Sequence, residues 1–142
     1  IKKKIVQKDE KERNLRKILN FGHTFAHSYE ATMNYSKRLN HGEAVLLGID
    51  SALKFSLQNE VIKENEFNLI QNHIKKSKLP NNLKNYFKKK DIKKIISYMA
   101  TDKKNTSKKI NLILLKKIGL PEFKKEYNSE DIKIFLEKEL AY

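Results

Sequence analysis

The chain has 142 residues, 31 Lys+Arg against 17 Asp+Glu for a formal net charge of +14, and neither Cys nor Trp. That length suits one domain with a real core, and the lack of Cys excludes disulfides, a thiolate nucleophile and Cys-ligated zinc or iron–sulfur chemistry. Lysines interrupt every apolar run short of the roughly 18–20 residues of a spanning helix, and no signal-peptide pattern opens the chain, so a soluble, cytoplasmic domain with no membrane partner is expected.

From Glu12 to Thr32, Leu15, Ile18, Leu19, Phe21, Phe25 and Tyr29 recur at helical spacing and predict one long helix. Met33 to Asn40 is polar and irregular, a loop. Gly42 to about Gln58 is apolar on most sides, as a central helix would be. Asn59 to Leu79, with Phe67, Leu69, Ile70 and Ile74, reads as an amphipathic helix stopped by Pro80. Asp91 is placed to cap a helix through Ile92, Ile95, Ile96 and Met99. Ile110 to Leu115 is the one clear strand, and Ser129 opens a closing helix with Ile132, Phe135, Leu136 and Leu140 on one face. The fold class expected is mainly α: a multi-helix domain over residues 1–142, with one short strand or hairpin and no internal repeat.

The charge invites a polyanion. Lys75 to Lys117 holds fifteen lysines opposed only by Asp91 and Asp102. Yet the arginines are three, Arg13, Arg16 and Arg38, whereas base and phosphate readout leans on the guanidinium fork. The lysines read as a compositional surface bias, and no nucleic-acid partner is expected.

Three of the four histidines, His23, His27 and His41, fall within nineteen positions. His23 and His27, four apart, share a helix face and can converge on a metal, a phosphate or a substrate oxygen. His41, in Asn-His-Gly-Glu at the entrance to the central helix, can reach back to the first helix, and Gly42 lets a ligand approach the backbone. Arg16, Asn20, His23 and His27 make a polar stripe at steps of four, three and four. Two isolated histidines at this spacing are more often ordinary helix residues, but such a stripe in an apolar helix is costly unless something anionic or metallic meets it.

The segment Leu15-Arg-Lys-Ile-Leu-Asn-Phe-Gly-His-Thr-Phe-Ala-His-Ser, then His41-Gly-Glu-Ala-Val, then Asp102-Lys-Lys, closely resembles the C-terminal domain of the 3-dehydroquinate synthase family, within the sugar-phosphate cyclase superfamily. The combination is far more specific than any one piece, and the likeness runs over essentially the whole chain. Among the departures, Ala26 stands where that family usually has Gly, and Thr106-Ser107-Lys108 where a glycine often follows Asp-Lys-Lys.

What the resemblance implies is a helical half, opening at Ile1, of an enzyme whose N-terminal NAD-binding domain is absent from this chain. His23 and His41 would be two ligands of a zinc (or cobalt) ion, with a glutamate from the N-terminal half as the third. Arg16 would clamp the substrate carboxylate. Asn20, His27 and one of Lys103 or Lys104 would surround the substrate phosphate. Lys2 would contact a hydroxyl or carboxylate, and Glu12 would orient the cluster; Lys2, Glu12 and His27 form the catalytic set. The implied reaction turns 3-deoxy-D-arabino-heptulosonate 7-phosphate into 3-dehydroquinate, in the shikimate pathway to aromatic amino acids, by transient oxidation with NAD, phosphate loss, re-reduction, ring opening and aldol closure. The full-length enzyme would be a homodimer and this chain alone inactive. The rival readings are another sugar-phosphate cyclase, a metal-dependent alcohol dehydrogenase of the glycerol dehydrogenase type, and a non-enzymatic helical module that binds polyanions. Arg16 as a carboxylate clamp, with Asp-Lys-Lys, favours the acid substrate.

Overall fold

The computed structural model describes residues 21–76, 82–100, 108–117 and 120–141. Five α-helices, α1 (His23–Thr32), α2 (His41–Gln58), α3 (Glu64–Lys76), α4 (Ile92–Met99) and α5 (Ser129–Glu139), and a hairpin of β1 (Lys109–Lys117) and β2 (Leu120–Asn128) make up the regular structure of these residues, with short 3-10 turns at Leu83–Asn85 and Lys89–Asp91. The expected mainly helical fold is what forms.

Helix α2 is the centre. It packs against α1, α3 and β1, and α1 also meets α4, which in turn meets α5. Phe25 and Tyr29, one turn apart on α1, are buried in a cluster of aromatic rings that joins these layers. Phe25 lies 6.3 Å from Phe55 of α2 and 6.1 Å from Phe135 of α5, Phe55 lies 5.3 Å from Phe135, and Tyr29 lies 5.3 Å from Phe87. Such pairs add about 0.5–1.5 kcal/mol each beyond the burial of their area. Four helical or extended segments far apart in sequence are thus tied to one point.

The first predicted helix is corrected at its middle. The helix begins at His23, because Gly22 before it takes a left-handed backbone, φ 78°. Only glycine holds that conformation without a Cβ penalty. A Cβ at Gly22 would also lie 2.8 Å from the Ile49 backbone nitrogen and 2.9 Å from the Gly48 carbonyl carbon. The expected stretch from Glu12 to Asn20 lies outside the described residues, and the left-handed Gly22 stands between Asn20 and the start of α1.

Three further boundaries differ. Helix α2 starts one residue early, at His41, because Asn40 and Glu43 form a reciprocal capping box: the Asn40 side chain accepts from the Glu43 N–H at 2.8 Å and Glu43 Oε1 accepts from the Asn40 N–H at 3.0 Å. The predicted helix from Asn59 begins only at Glu64, since the chain first turns through a left-handed Glu60 (φ 58°) while the Ser56 carbonyl accepts the Val61 N–H. Its predicted stop, Pro80, lies outside the described residues. Asp91 precedes α4 as expected, but its carboxylate accepts from the Lys88 N–H at 2.8 Å and so caps the preceding 3-10 turn instead.

The strand is longer than the predicted Ile110–Leu115 and has a partner, pairing Lys109 with Asn128 and Ile110 with Tyr127 in antiparallel register. Ile110, Leu112 and Leu114 are buried and alternate with more open neighbours, the period-2 pattern of a sheet with one covered face. The Leu115 N–H donates to Ser56 Oγ at 3.1 Å, while that hydroxyl donates to the Ala52 carbonyl. The hairpin is therefore bonded directly to α2. In α5 the predicted face of Ile132, Phe135, Leu136 and Leu140 is the buried one.

Candidate functional site

The site is built where the start of α1 crosses α2. Gly48 of α2 sits directly against the Gly22–Ala26 turn: a Cβ there would overlap the Gly22 carbonyl oxygen and come within 2.8 Å of the Ala26 nitrogen and 2.9 Å of its methyl. Ala26 is itself fully buried. Small residues on both helices let the two backbones touch where the start of α1 meets the middle of α2.

His23 is the first residue of α1 and His27 lies one turn on, half-buried and exposed respectively, with ring centroids 5.5 Å apart. After α1 the chain reverses through two left-handed residues, Asn34 (φ 54°) and Tyr35 (φ 55°), with the Tyr35 N–H donating to the Glu30 carbonyl at 2.9 Å. Buried Leu39 anchors the return. The expected loop from Met33 to Asn40 is thus a tight reversal that delivers His41 back to α1.

His41 does reach the first helix, and its partner there is Glu30. The His41 Nδ1 lies 3.1 Å from Glu30 Oε1 and 3.2 Å from Oε2. Glu30 is a residue the sequence reading missed. Its signal was available: His23, His27 and Glu30, at steps of four and three, fall within about 60° of one another around a helix of 3.6 residues per turn. Glu43 of His41-Gly-Glu serves the backbone instead. Beside its capping bond it accepts the Tyr86 hydroxyl at 2.9 Å, and burial, then the Glu43 carboxylate, push that hydroxyl above the ordinary tyrosine value, against the smaller pull of Arg38.

Lys2, Glu12, Arg16, Asn20, Lys103 and Lys104 lie outside the described residues. Among the described residues, no three His, Cys, Asp or Glu side chains are grouped to hold a metal ion by themselves. The donor types nevertheless suit one. A carboxylate only accepts, so Nδ1 of His41 carries the hydrogen, and a neutral ring then presents the lone pair of Nε2 for coordination. No helix among the described residues is long and apolar enough to cross a membrane.

The family model described as 3-dehydroquinate synthase C-terminal matches residues 1–105. The chain belongs to that family. It is similar to the 3-dehydroquinate synthase of Pelagibacter ubique, 54% identical over 141 residues that make 99% of this chain and 38% of that protein. It is also similar to the 3-dehydroquinate synthase of Thermoanaerobacter pseudethanolicus, 40% identical over 94% of this chain and 36% of that protein. The chain therefore spans little more than a third of the length of these relatives. Among solved structures, it shares its fold with a 2-deoxy-scyllo-inosose synthase complexed with carbaglucose-6-phosphate, NAD+ and Co2+, at a TM-score of 0.68 and 19% identity, over 86% of this chain and 35% of that one. The expected dehydroquinate synthase-like fold is thereby shown.

Proposed function

We propose that this chain is the metal- and substrate-binding part of a 3-dehydroquinate synthase, which converts 3-deoxy-D-arabino-heptulosonate 7-phosphate to 3-dehydroquinate and phosphate. The observation that carries the reading, beside family membership, is the return of His41 onto the α1 face that bears His23 and His27. A tight reversal returns His41 to the helix that carries His23, eighteen residues earlier, and a glycine-packed crossing seats that helix on α2. That is a large structural investment for two ordinary polar side chains.

In this reading His23 and His41 hold a divalent metal, zinc or cobalt, and a glutamate from outside this chain completes the set. The metal's contribution when bound is to polarise a substrate oxygen as a Lewis acid. His27, exposed and one turn from His23, contacts the substrate phosphate and holds or releases a proton at a ring nitrogen. Asn20 and one of Lys103 or Lys104 share the phosphate, and Arg16 forks onto the carboxylate. Lys2 contacts a hydroxyl or carboxylate, and Glu12 orients the polar cluster. Most of the acceleration asked of these residues is positioning of a reactive substrate. From the family likeness come the remaining parts: NAD, bound outside this chain and recycled within each turnover, a homodimer, and action in the cytoplasm.

The test separates two histidines on one helix face. In the full-length enzyme, His23→Ala should lose the metal and fall to near-background turnover. His27→Ala should keep its metal and lose about 10²–10⁴-fold in rate, the size of general acid–base and charge-stabilising effects. Elemental analysis beside turnover decides. Unchanged metal in His23→Ala would overturn the assignment, and dehydroquinate formation by residues 1–142 alone would overturn the division of labour.

A further inference from the structure

We propose that Glu30 is the positioning residue for His41, holding its ring in the one tautomer and orientation that offers Nε2 to a metal. The inference rests on the reading of His41 as a ligand. Its geometry is independent of that reading: both carboxylate oxygens of Glu30 face the same ring nitrogen, at 3.1 and 3.2 Å. A carboxylate has no hydrogen to give, so the proton sits on Nδ1 whatever the ring's charge.

The two side chains are unequal. That of His41 is 69% exposed while that of Glu30 is only 13% exposed. Packing therefore does little to orient the imidazole, and a sheltered, helix-borne carboxylate does it instead. The backbone beneath the ring is fixed separately, by the Asn40–Glu43 capping box and by the Tyr86 hydroxyl on Glu43. With the backbone of His41 held from one side and its ring from another, the free rotation about its side-chain bonds is the one freedom left for Glu30 to remove. Glu30 also stands on the helix that carries His23, so whatever keeps α1 in place keeps both rings in register.

An ordinary surface ion pair is the competing account, and such pairs contribute about 0–1 kcal/mol to stability. It differs in what it would do to metal binding. A carboxylate behind a ligating histidine fixes the tautomer and makes the ring a better donor, and its loss typically costs about 10–100-fold in metal affinity. A pair that serves only the fold would leave that affinity where it was.

The experiment uses the full-length protein and zinc alone as the probe, with affinity read by competition against a chromophoric chelator and melting followed on the metal-free form. Glu30→Met keeps length and helix preference but removes the acceptor. Glu30→Gln keeps an acceptor oxygen and removes the charge. The expected result is zinc binding weakened about 10–100-fold in Glu30→Met, most of it recovered in Glu30→Gln, with both melting close to the parent. Equal weakening in the two variants, or zinc held as tightly by Glu30→Met as by the parent, would overturn the positioning role. His41→Ala is the control on the underlying reading: if it binds zinc like the parent, His41 is no ligand and both conclusions fall. If it loses zinc while Glu30→Met does not, only the inference on Glu30 falls.

Discussion

Two places along α2 each bring a carboxylate next to a basic side chain, and the two arrangements are opposite in kind. Midway along α2 Asp50 is buried and fully engaged: Oδ1 accepts the Gln71 amide at 2.9 Å and Oδ2 pairs with Lys54 at 3.0 Å, while Lys54 also reaches Glu139 of α5 at 3.2 Å. Burial works against the Lys54 charge, but the Asp50 and Glu139 carboxylates override it and hold the ammonium above the ordinary lysine value. Tyr29 nearby is equally closed, its hydroxyl bonded to Ser51 at 2.6 Å and pushed far up by burial. At the entrance of α2, Glu30 grips Nδ1 of an exposed His41, and among the described residues no bond is shown to the other ring nitrogen. A network closed on three helices fixes their arrangement; a pair left open on one side is ready for something to bind. The difference separates scaffold from site on a single helix.

Gly48 lies between His41 and Asp50, and a change there should damage both arrangements. In Gly48→Ala the new methyl meets backbone rather than a flexible side chain, so overpacking should cost about 3 kcal/mol, at the upper end of such changes. Urea unfolding and zinc affinity should fall together, because the crossing that sets the start of α1 relative to α2 is forced apart. Unchanged zinc affinity in a destabilised protein would mean that the crossing supports the fold and not the site.

Asp50→Ala should strike the closed network alone, at about 2 kcal/mol, by leaving the Gln71 amide buried without its acceptor. Zinc affinity should hold. The sign of its pH dependence follows from Lys54, whose folded value is raised above the 10.5 of an ordinary lysine. The contribution of the network is then fully present below that value and disappears as pH rises through the higher folded one. The gap in stability between parent and variant should accordingly stay constant through neutral pH and narrow only in strong alkali. A gap that narrowed near neutrality would show that Lys54 is not the group responsible.

Tyr86→Phe is the smallest change, removing one half-exposed hydroxyl from Glu43 at a cost of about 1 kcal/mol or less. Because the capping box remains, melting should move only slightly, and any loss of zinc affinity should be far below that of Glu30→Met. A larger effect on zinc than on melting would make the α2 entrance more dependent on the 82–87 segment than its bonds indicate.

Periodicity carried the reading of β1 and α5 because their described buried faces are apolar, and burial of such faces follows from spacing; α2 was legible from its many apolar positions although Asp50, Ser51 and Ser56 are buried among them. It failed at Gly22, where the apolar pattern runs on unbroken past a left-handed turn. There the decisive fact is the close approach of Gly48, twenty-six residues away, and no local pattern records it. Asp50 went unread for a related reason: Gln71, Lys54 and Glu139, on three helices, make its burial tolerable, and two of these partners lie far away in sequence.

The sequence by itself determined the mainly helical class, the motif-bearing segments and the family, since these depend on residue types at fixed short spacings. It also placed His23 and His27 on one face, which a single helical turn guarantees. Only the tertiary structure decided that His41 meets Glu30 and that Glu43 meets Tyr86, whereas the Asn40–Glu43 cap and the Asp91 bond to Lys88 are local contacts that the apolar pattern does not record. These are choices of partner among several polar groups within reach. Hydrogen-bond partners between segments are selected by where the backbone carries each side chain, and for His41 and Glu30 that depends on the reversal at Asn34 and Tyr35, which exists only once the chain has folded.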